Sequence, residues 1–227
     1  QIRSFFLGQV STGANVDQSV IGIHEGAGKS GLHDGIRIGK SLAMLKLLQN
    51  GLVPLEWASK QIYKIDPAIK SVHDQVRQSL LAGRNVQLIT HSGGGAETAT
   101  ALTILAREGM KDQITEKVRI LSMASAAAHK DFTKAGVKAD NIYYTGSNND
   151  PVYSIFRHFL GPFNPVSAVG FAMEACRFGY EMLKGKNEQV IRHYHSPDYI
   201  FDRNMDQEGQ KMQKFLDGGP GGKFPLP

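Results

Sequence analysis

The sequence predicts an α/β fold in which a mostly parallel central sheet carries helices on both faces. Short apolar runs typical of buried strands alternate with longer segments whose apolar residues recur every three or four positions. This alternation is typical of parallel sheets, because the chain must return through a crossover helix before it can add the next parallel strand. Ligands of such sheets bind beside the carboxyl ends of the strands, so the residues that follow each strand are the candidates for function.

The individual elements follow from these patterns. Strands are predicted at residues 3–10, 18–24, 84–90, 117–123, 140–146 and, with the weakest pattern, 188–193. Helices are predicted at 33–49, 67–82 and 94–108, the last of which ends at Gly109. We expect a single domain over residues 1–215, followed by a flexible tail at 216–227 that is rich in glycine and proline.

The composition limits the classes of function. The 227 residues suffice for one domain with a sizeable core. The chain has 26 Lys and Arg against 21 Asp and Glu, and these basic residues form no run, so nucleic-acid binding is not expected. No apolar run approaches the ~20 residues of a membrane span. Cys176 is the single cysteine and has no partner for an internal disulfide. The sequence does not indicate the cellular compartment of the protein.

The glycine-rich segment "SVIGIHEGAGKSG" at 19–31 raises the question of a phosphate-binding P-loop. Its Gly28-Lys29-Ser30 matches the end of the motif G-x-x-x-x-G-K-[ST], but the first glycine should stand at position 23. The nearest one, Gly22, is one residue too early, and a loop whose N–H groups converge on one anion does not readily absorb an insertion. A P-loop nucleotide binder therefore stays as a minor alternative.

The segment "QLITHSGGGAETATALTIL" has the layout of a nucleophile elbow. A buried strand leads into His91-Ser92-Gly93-Gly94-Gly95 and then into a helix that begins with small residues. The elbow motif G-x-S-x-G requires small residues two before and two after the serine, and here those positions hold Thr90 and Gly94. The alternative is a glycine-rich helix start in which Ser92 is an ordinary N-cap.

Partners for a nucleophilic serine occur further along the chain. A serine hydroxyl needs a histidine to take its proton and a carboxylate to orient that histidine. Asp150 lies in "SNNDPV", directly after a predicted strand, and "HYHSPDY" supplies His193 and His195. These two histidines with Asp198 could instead bind a metal, but no further ligand is near in sequence, and His24-Glu25 lacks the second histidine of H-E-x-x-H.

The segments "THSGGG", "SNNDPV" and "HYHSPDY", together with the strand-helix rhythm of residues 18 to about 200, resemble the α/β-hydrolase superfamily and its lipase-like and esterase-like members. The resemblance implies Ser92 as nucleophile, Asp150 as orienting acid and His195 as base, with His193 as the alternative base. It also implies an oxyanion hole formed by the N–H of Gly93 and that of Glu25 or Gly26 in "IHEGAG". No metal or organic cofactor is implied.

The aromatic-rich segment 151–183 lies between the predicted acid and base. It is a candidate cap or lid, since long insertions beside catalytic loops are often functional, although ordinary core packing is the alternative. As a cap it would line an apolar acyl site with Phe156, Phe159, Phe163, Phe171 and Phe178.

The sequence thus predicts a serine hydrolase of carboxylic or thio esters that acts through an acyl-enzyme. The expected partners are small ester or lipid-like substrates, with transient contact to a membrane surface as a further expectation. The main alternative is a non-catalytic protein of the same fold that binds a lipid or a partner protein.

Overall fold

The computed structural model describes residues 31–145 of the chain. The helices of this part are α1 (Gly31–Gln49), α2 (Leu55–Ile65), α3 (Pro67–Leu81), α4 (Gly93–Leu105), α5 (Lys111–Lys117) and α6 (His129–Lys134). The strands are β1 (Val86–His91), β2 (Val118–Met123) and β3 (Ile142–Thr145). A π-helical turn at Ala106–Met110 joins α4 to α5, and a 3₁₀ turn at Ala139–Asn141 precedes β3.

The three strands form one parallel sheet in the order β1-β2-β3. Leu88 of β1 is in register with Ile120 of β2, and Ile120 is in register with Ile142 of β3. All three residues pack on the same hydrophobic core, as expected for side chains that share one face of a pleated sheet. Because the strands are parallel, their carboxyl ends lie at one edge of the sheet, and the loops that follow them start there.

Helices α1 and α3 pack into the core through apolar stripes. Ile38, Leu42, Leu45 and Leu48 recur at helical spacing along α1 and are all buried. The stripe of α3 consists of Ile69, Val72, Val76 and Leu80, and Pro67 occupies the first turn of this helix, where its missing N–H has no cost. Both helices lie against α4.

Helix α4 is buried on nearly all sides because α1, α3 and β1 surround it. Its sequence is correspondingly rich in small residues, which let neighbouring helices approach. The hydroxyls of Thr100 and Thr103 donate to the carbonyl oxygens four residues earlier, Ala96 and Ala99, each at 2.8 Å. These bonds satisfy polar groups that the packed surroundings separate from water.

The structure confirms the α/β class and the three central strands, which were predicted at 84–90, 117–123 and 140–146. The helices predicted at 33–49 and 67–82 are also confirmed, and that predicted at 94–108 ends earlier, at Leu105. The chain leaves the following π turn through Gly109, whose φ of 93° suits glycine. Helices α2, α5 and α6 were not predicted.

Several predictions lie outside the described residues. These are the strands at 3–10, 18–24 and 188–193, the cap at 151–183, the tail at 216–227 and the single-domain boundary at 215. The wider sheet with helices on both faces depends on those segments and stays a prediction. Between residues 31 and 145, no helix is both long and apolar enough to cross a lipid bilayer.

A polar cluster ties α2, α3 and the π turn together away from the carboxyl edge of the sheet. The ring of His73 lies between Asp74 Oδ1, at 2.9 Å from Nδ1, and Glu108 Oε2, at 3.1 Å from Nε2. Tyr63 packs against His73 with its ring centre 5.8 Å away. Burial, and then the negative charges of Glu108 and Asp74, raise the pKa of Tyr63 well above its ordinary value.

Candidate active site

Ser92 joins the end of β1 to the start of α4 at the carboxyl edge of the sheet. β1 ends at His91 and α4 begins at Gly93, so the whole change of direction falls on one residue. Its backbone has φ 54° and ψ −125°, a conformation that L-residues rarely adopt. We refer to residues 90–95, the end of β1 and the first turn of α4, as the elbow.

Hydrogen bonds from the neighbouring strand and its loop hold this strained backbone. The N–H of Ser92 donates to the carbonyl oxygen of Met123 at 3.2 Å, and the carbonyl oxygen of Ser92 accepts from the N–H of Ala126 at 2.9 Å. The N–H of Gly95 donates to the same carbonyl at 3.2 Å. Strain of this kind persists only where the surroundings over-determine the conformation, which these bonds do.

The geometry excludes the alternative that Ser92 is an ordinary N-cap. An N-cap residue has extended φ and ψ, and its side-chain oxygen accepts a hydrogen bond from the first turn of the helix. Ser92 has a positive φ and makes no side-chain capping bond to α4. Ser92 therefore does not cap α4 through its side chain.

Close packing requires glycine at one position of the elbow, Gly95, whereas Gly93 faces the end of a flexible side chain. A Cβ on Gly95 would overlap the hydroxyl oxygen of Ser125, and a Cβ on Gly93 would lie 2.8 Å from Ile38 Cδ1. Among residues 31–145, no atom lies within 4 Å of the position that a Cβ on Gly94 would take, so the described contacts do not require a small residue at this position. The tight contact is at Gly95, one residue after Gly94, because this side of α4 faces the loop that follows β2.

Thr90 occupies the position where the strict elbow motif has glycine, and the structure shows how a larger side chain is accommodated. Thr90 is buried, and its Oγ1 donates to the Oγ of Ser122, the residue in register with it on β2, at 3.3 Å. The cross-strand bond satisfies both hydroxyls within the sheet. The departure from the motif therefore leaves the strand-turn-helix arrangement intact.

The loop after β2, residues 124–128, forms the neighbouring wall of the elbow. Ala124 also has a positive φ, 43°, and Ser125 is buried with its Oγ accepting from the N–H of Ala127 at 3.0 Å. The hydroxyl of Tyr144 donates toward the carbonyl oxygens of Ser125, at 3.1 Å, and Ala127, at 2.8 Å. All three strands thus contribute to fixing the position of Ser92.

A buried ion-pair cluster adjoins the elbow on the side of α1. Nη1 of Arg37 donates to Asp66 Oδ2 at 2.7 Å and to Glu97 Oε1 at 2.9 Å. Ser41 Oγ, one turn along α1, lies 3.4 Å from the same oxygen of Asp66. The sequence gave no signal for this cluster, because Arg37 is separated from Asp66 by 29 positions and from Glu97 by 60.

Of the predicted site residues, Ser92 and Gly93 lie in the described part of the chain. Asp150, His195, His193, Glu25 and Gly26 lie outside it, as do the five phenylalanines of the candidate acyl site. In sequence, Asp150 follows Thr145, the last residue of β3, by five positions. Among residues 31–145, no three His, Cys, Asp or Glu side chains are grouped so that they could hold a metal ion.

The chain matches no protein-family model, and comparison with curated proteins and with solved structures found no match. The class that the described residues define is an α/β protein with a three-stranded parallel sheet, helices packed on that sheet, and a strained serine turn at its carboxyl edge.

Proposed function

We propose that the protein is a serine hydrolase of carboxylic or thio esters, in which Ser92 is the nucleophile. The single observation that carries the proposal is the backbone of Ser92, with φ 54° and ψ −125° between a strand of the parallel sheet and a buried helix. A strained strand-to-helix turn is the device by which α/β-hydrolases expose a serine Oγ above the sheet.

The order of the elements supports the assignment of the acid. After Ser92 the chain forms α4, α5, β2, α6 and β3 before it reaches Asp150, so the acid follows the second strand after the nucleophile. The strands that precede Ser92 and Asp150 are parallel members of one sheet and point to the same edge. The candidate bases, His195 and the alternative His193, come later, which gives the chain order Ser, Asp, His of this class.

In the proposed mechanism the histidine takes the proton of Ser92 Oγ while that oxygen attacks the carbonyl carbon of the ester. The carbonyl oxygen becomes an oxyanion, which accepts from the N–H of Gly93 and from that of Glu25 or Gly26. Gly93 begins α4, and the first N–H groups of a helix have no acceptor within it and lie at its positive end. Collapse expels the alcohol or thiol, which receives the proton from the histidine, and water then hydrolyses the acyl-enzyme in the same way.

A fluorophosphonate probe tests the proposal directly. The purified protein should be labelled at Ser92, with the modified residue mapped by mass spectrometry. Ser92→Ala should abolish both labelling and ester hydrolysis, whereas Ser71→Ala, which removes an exposed hydroxyl on α3, should change neither. Residual activity of Ser92→Ala within about tenfold of wild type would contradict the proposal, because the loss of a nucleophile costs far more than that.

Labelling of Ser92, together with a measurement of nucleotide binding, separates the rival functions. A non-catalytic binding protein with this fold would show no Ser92 labelling while still binding a lipid or a protein. A P-loop nucleotide binder would show ATP or GTP affinity that Lys29→Ala removes, and its activity would be insensitive to Ser92→Ala.

A further inference from the structure

The hydroxyl of Tyr144 reaches from β3 to the loop that follows β2. Tyr144 is in register with Ser122 on β2, which is in register with Thr90 on β1, so the three side chains form one row on the same face of the sheet. From this row the phenol oxygen lies 3.1 Å from the carbonyl oxygen of Ser125 and 2.8 Å from that of Ala127. One O–H can share its proton between two acceptors in a three-centre bond, so this side chain holds the loop at two points.

One peptide group connects Tyr144 to Ser92. The carbonyl of Ser125 and the N–H of Ala126 belong to the same planar peptide unit, because each peptide bond joins the carbonyl of one residue to the nitrogen of the next. The oxygen of this unit lies 3.1 Å from the Tyr144 hydroxyl, and its N–H donates to the carbonyl oxygen of Ser92 at 2.9 Å. The unit is therefore held at both ends, and it cannot rotate without weakening these bonds.

A second peptide group connects Ser92 to an oxyanion donor of the proposed function. The carbonyl of Ser92 and the N–H of Gly93 form one planar unit, so whatever fixes the direction of that carbonyl also fixes the direction of that N–H. The N–H of Gly95 binds the same carbonyl at 3.2 Å, but it lies in the same turn and would move with it. The bond from Ala126 reaches the carbonyl from the neighbouring loop, so it fixes the N–H of Gly93 relative to the sheet.

We infer that Tyr144 is a positioning residue that orients and polarises the N–H of Gly93 through these two peptide units. The inference rests on the proposed function for the role of that N–H as an oxyanion donor. Successive hydrogen bonds in a chain polarise one another by ~10–30% per bond, so donation by the tyrosine strengthens donation by the amides that follow. Tyr144 acts through the backbone of the loop and of the elbow, not through contact with the substrate.

The test compares Tyr144→Phe with Thr115→Val, a matched control. The hydroxyl of Thr115 on α5 also donates to two carbonyl oxygens, that of Lys111 at 2.9 Å and that of Gly136 at 2.7 Å. These contacts lie at the amino edge of the sheet, because α5 leads into β2 and Gly136 precedes β3. Both variants remove one hydroxyl with two such contacts and nearly keep the shape of the side chain. Only Tyr144→Phe interrupts the chain of bonds to Gly93.

Amide NMR of the folded protein measures this chain of bonds independently of activity. In Tyr144→Phe the amide protons of Ala126 and Gly93 should both move upfield, because each donor becomes less polarised. Hydrogen exchange of the Ala126 amide should become ~10-fold faster, because one hydrogen bond fewer opposes the opening of the loop. Thr115→Val should leave both resonances unchanged. A Gly93 resonance that does not move in Tyr144→Phe would show that the inference is wrong.

The second readout is hydrolysis of an oxygen ester and of the thionoester in which sulfur replaces the carbonyl oxygen. Sulfur is a weaker hydrogen-bond acceptor than oxygen, so this reaction depends less on an oxyanion donor while it uses the same nucleophile and base. We expect Tyr144→Phe to lower kcat for the oxygen ester by ~10-fold, with KM changed less than about threefold, and to lower the preference for the oxygen ester by about threefold or more. Thr115→Val should leave this preference unchanged.

The two readouts separate a failure of the inference from a failure of the proposed function. Equal losses on both esters would mean that Tyr144 has only a general structural role, and no loss would mean that it has none at this site, so either result overturns the inference. If Tyr144→Phe does not fold by circular dichroism, Ser125→Ala carries the same test, because it removes the acceptor of the Ala127 N–H in the same loop. An unchanged Gly93 resonance with an unchanged ester preference in Ser125→Ala overturns the inference. If the wild-type protein shows no Ser92-dependent hydrolysis, the proposed function fails, and the shift of the Gly93 amide alone decides whether Tyr144 orients that group.

Discussion

Gly95 in the first turn of α4 lies so close to Ser125 in the loop after β2 that a Cβ on the glycine would overlap the serine hydroxyl and stand 2.8 Å from its Cβ. Ser125 is buried and its Oγ binds the N–H of Ala127, so it cannot easily move away. We expect Gly95→Ala to lower the free energy of unfolding by about 1–3 kcal/mol, the usual cost of overpacking. Urea unfolding, monitored by circular dichroism, measures this change in the free energy of unfolding.

Gly94→Ala is the matched control for this prediction. No atom of residues 31–145 lies near the position that its Cβ would take, so the change should leave the free energy of unfolding equal or raise it by up to about 1 kcal/mol through the stiffer unfolded chain. Equal effects of the two substitutions would contradict the close contact. In a Ser125→Gly background, Gly95→Ala should lower the free energy of unfolding clearly less, because the Cβ and Oγ atoms of Ser125 that clash with the new methyl group are absent.

Strain at Ser92 should be visible in stability. Both Ser92→Gly and Ser92→Ala remove the hydroxyl, but only glycine adopts φ 54° and ψ −125° without a steric penalty. Glycine relieves about 1–3 kcal/mol of backbone strain, which exceeds the ~0.5–1 kcal/mol that its greater loss of chain entropy on folding costs. We therefore expect Ser92→Gly to have the higher free energy of unfolding. An alanine variant as stable as the glycine variant would show that the turn is unstrained.

The histidines of "HYHSPDY" should differ strongly in their effect on turnover. His195→Ala is expected to lower kcat by ~10⁴-fold or more, as for the loss of a triad member. His193→Ala should lower it far less, because it stands at the end of a predicted strand whereas His195 falls in the loop. Steady-state hydrolysis of a soluble p-nitrophenyl ester measures both, and the reverse ranking would make His193 the base.

Tyr63 should make stability fall with pH in alkaline solution. The folded protein holds the phenolic proton to a higher pH than the unfolded chain, in which a tyrosine titrates near its ordinary value of ~10. The contribution of Tyr63 to the free energy of unfolding is therefore fully present below that pH, and it is lost as the pH rises through the alkaline range. The unfolding free energy should fall less steeply from about pH 9.5 upward in Tyr63→Phe than in wild type.

The same variant also tests the burial of this hydroxyl. Within residues 31–145, the hydroxyl of Tyr63 is buried without a hydrogen-bond partner. At neutral pH, Tyr63→Phe should therefore keep the free energy of unfolding or raise it by up to about 1 kcal/mol, since it removes an unsatisfied polar group. A clear loss of stability would show that the hydroxyl makes a bond in solution.

An apolar acyl site would appear as a dependence on substrate chain length. Each CH₂ moved from water into such a site gains up to ~0.8 kcal/mol, so kcat/KM should rise from p-nitrophenyl acetate to butyrate and octanoate, then level off toward palmitate. Phe159→Ala, within the candidate cap, should flatten the series while leaving acetate hydrolysis intact. A flat or falling series in the wild-type protein would remove both the cap and the preference for lipid-like substrates.

The sequence predicted the central strands and the position of the serine turn because these depend on local patterns. The runs "NVQLIT", "VRILSM" and "NIYYT" each show the apolar character of a buried strand, and the structure places β1, β2 and β3 on them. Helix α2 was not predicted, although Leu55, Ala58 and Ile62 have helical spacing. This apolar stripe is short, and only Ala58 and Ile62 in it are fully buried.

The remaining features depend on contacts between distant segments, which no local pattern records. Three consecutive glycines look alike in sequence, and Gly95 is the constrained one only because Ser125, thirty residues later, comes to lie against it. The cluster of Arg37 with Asp66 and Glu97 likewise exists only once α1 and α4 have packed together.

The bonds that hold Ser92 come from residues that the ribosome adds later. Met123 and Ala126, whose backbone groups bind that of Ser92, follow it by 31 and 34 positions. A nascent chain that ends before β2 lacks both of these bonds and keeps only the one from the N–H of Gly95, so we expect the junction between β1 and α4 to be relaxed when it leaves the exit tunnel. The strained turn at Ser92 would then form only after β2 has paired with β1, which makes it a late feature of folding that depends on a contact between distant segments.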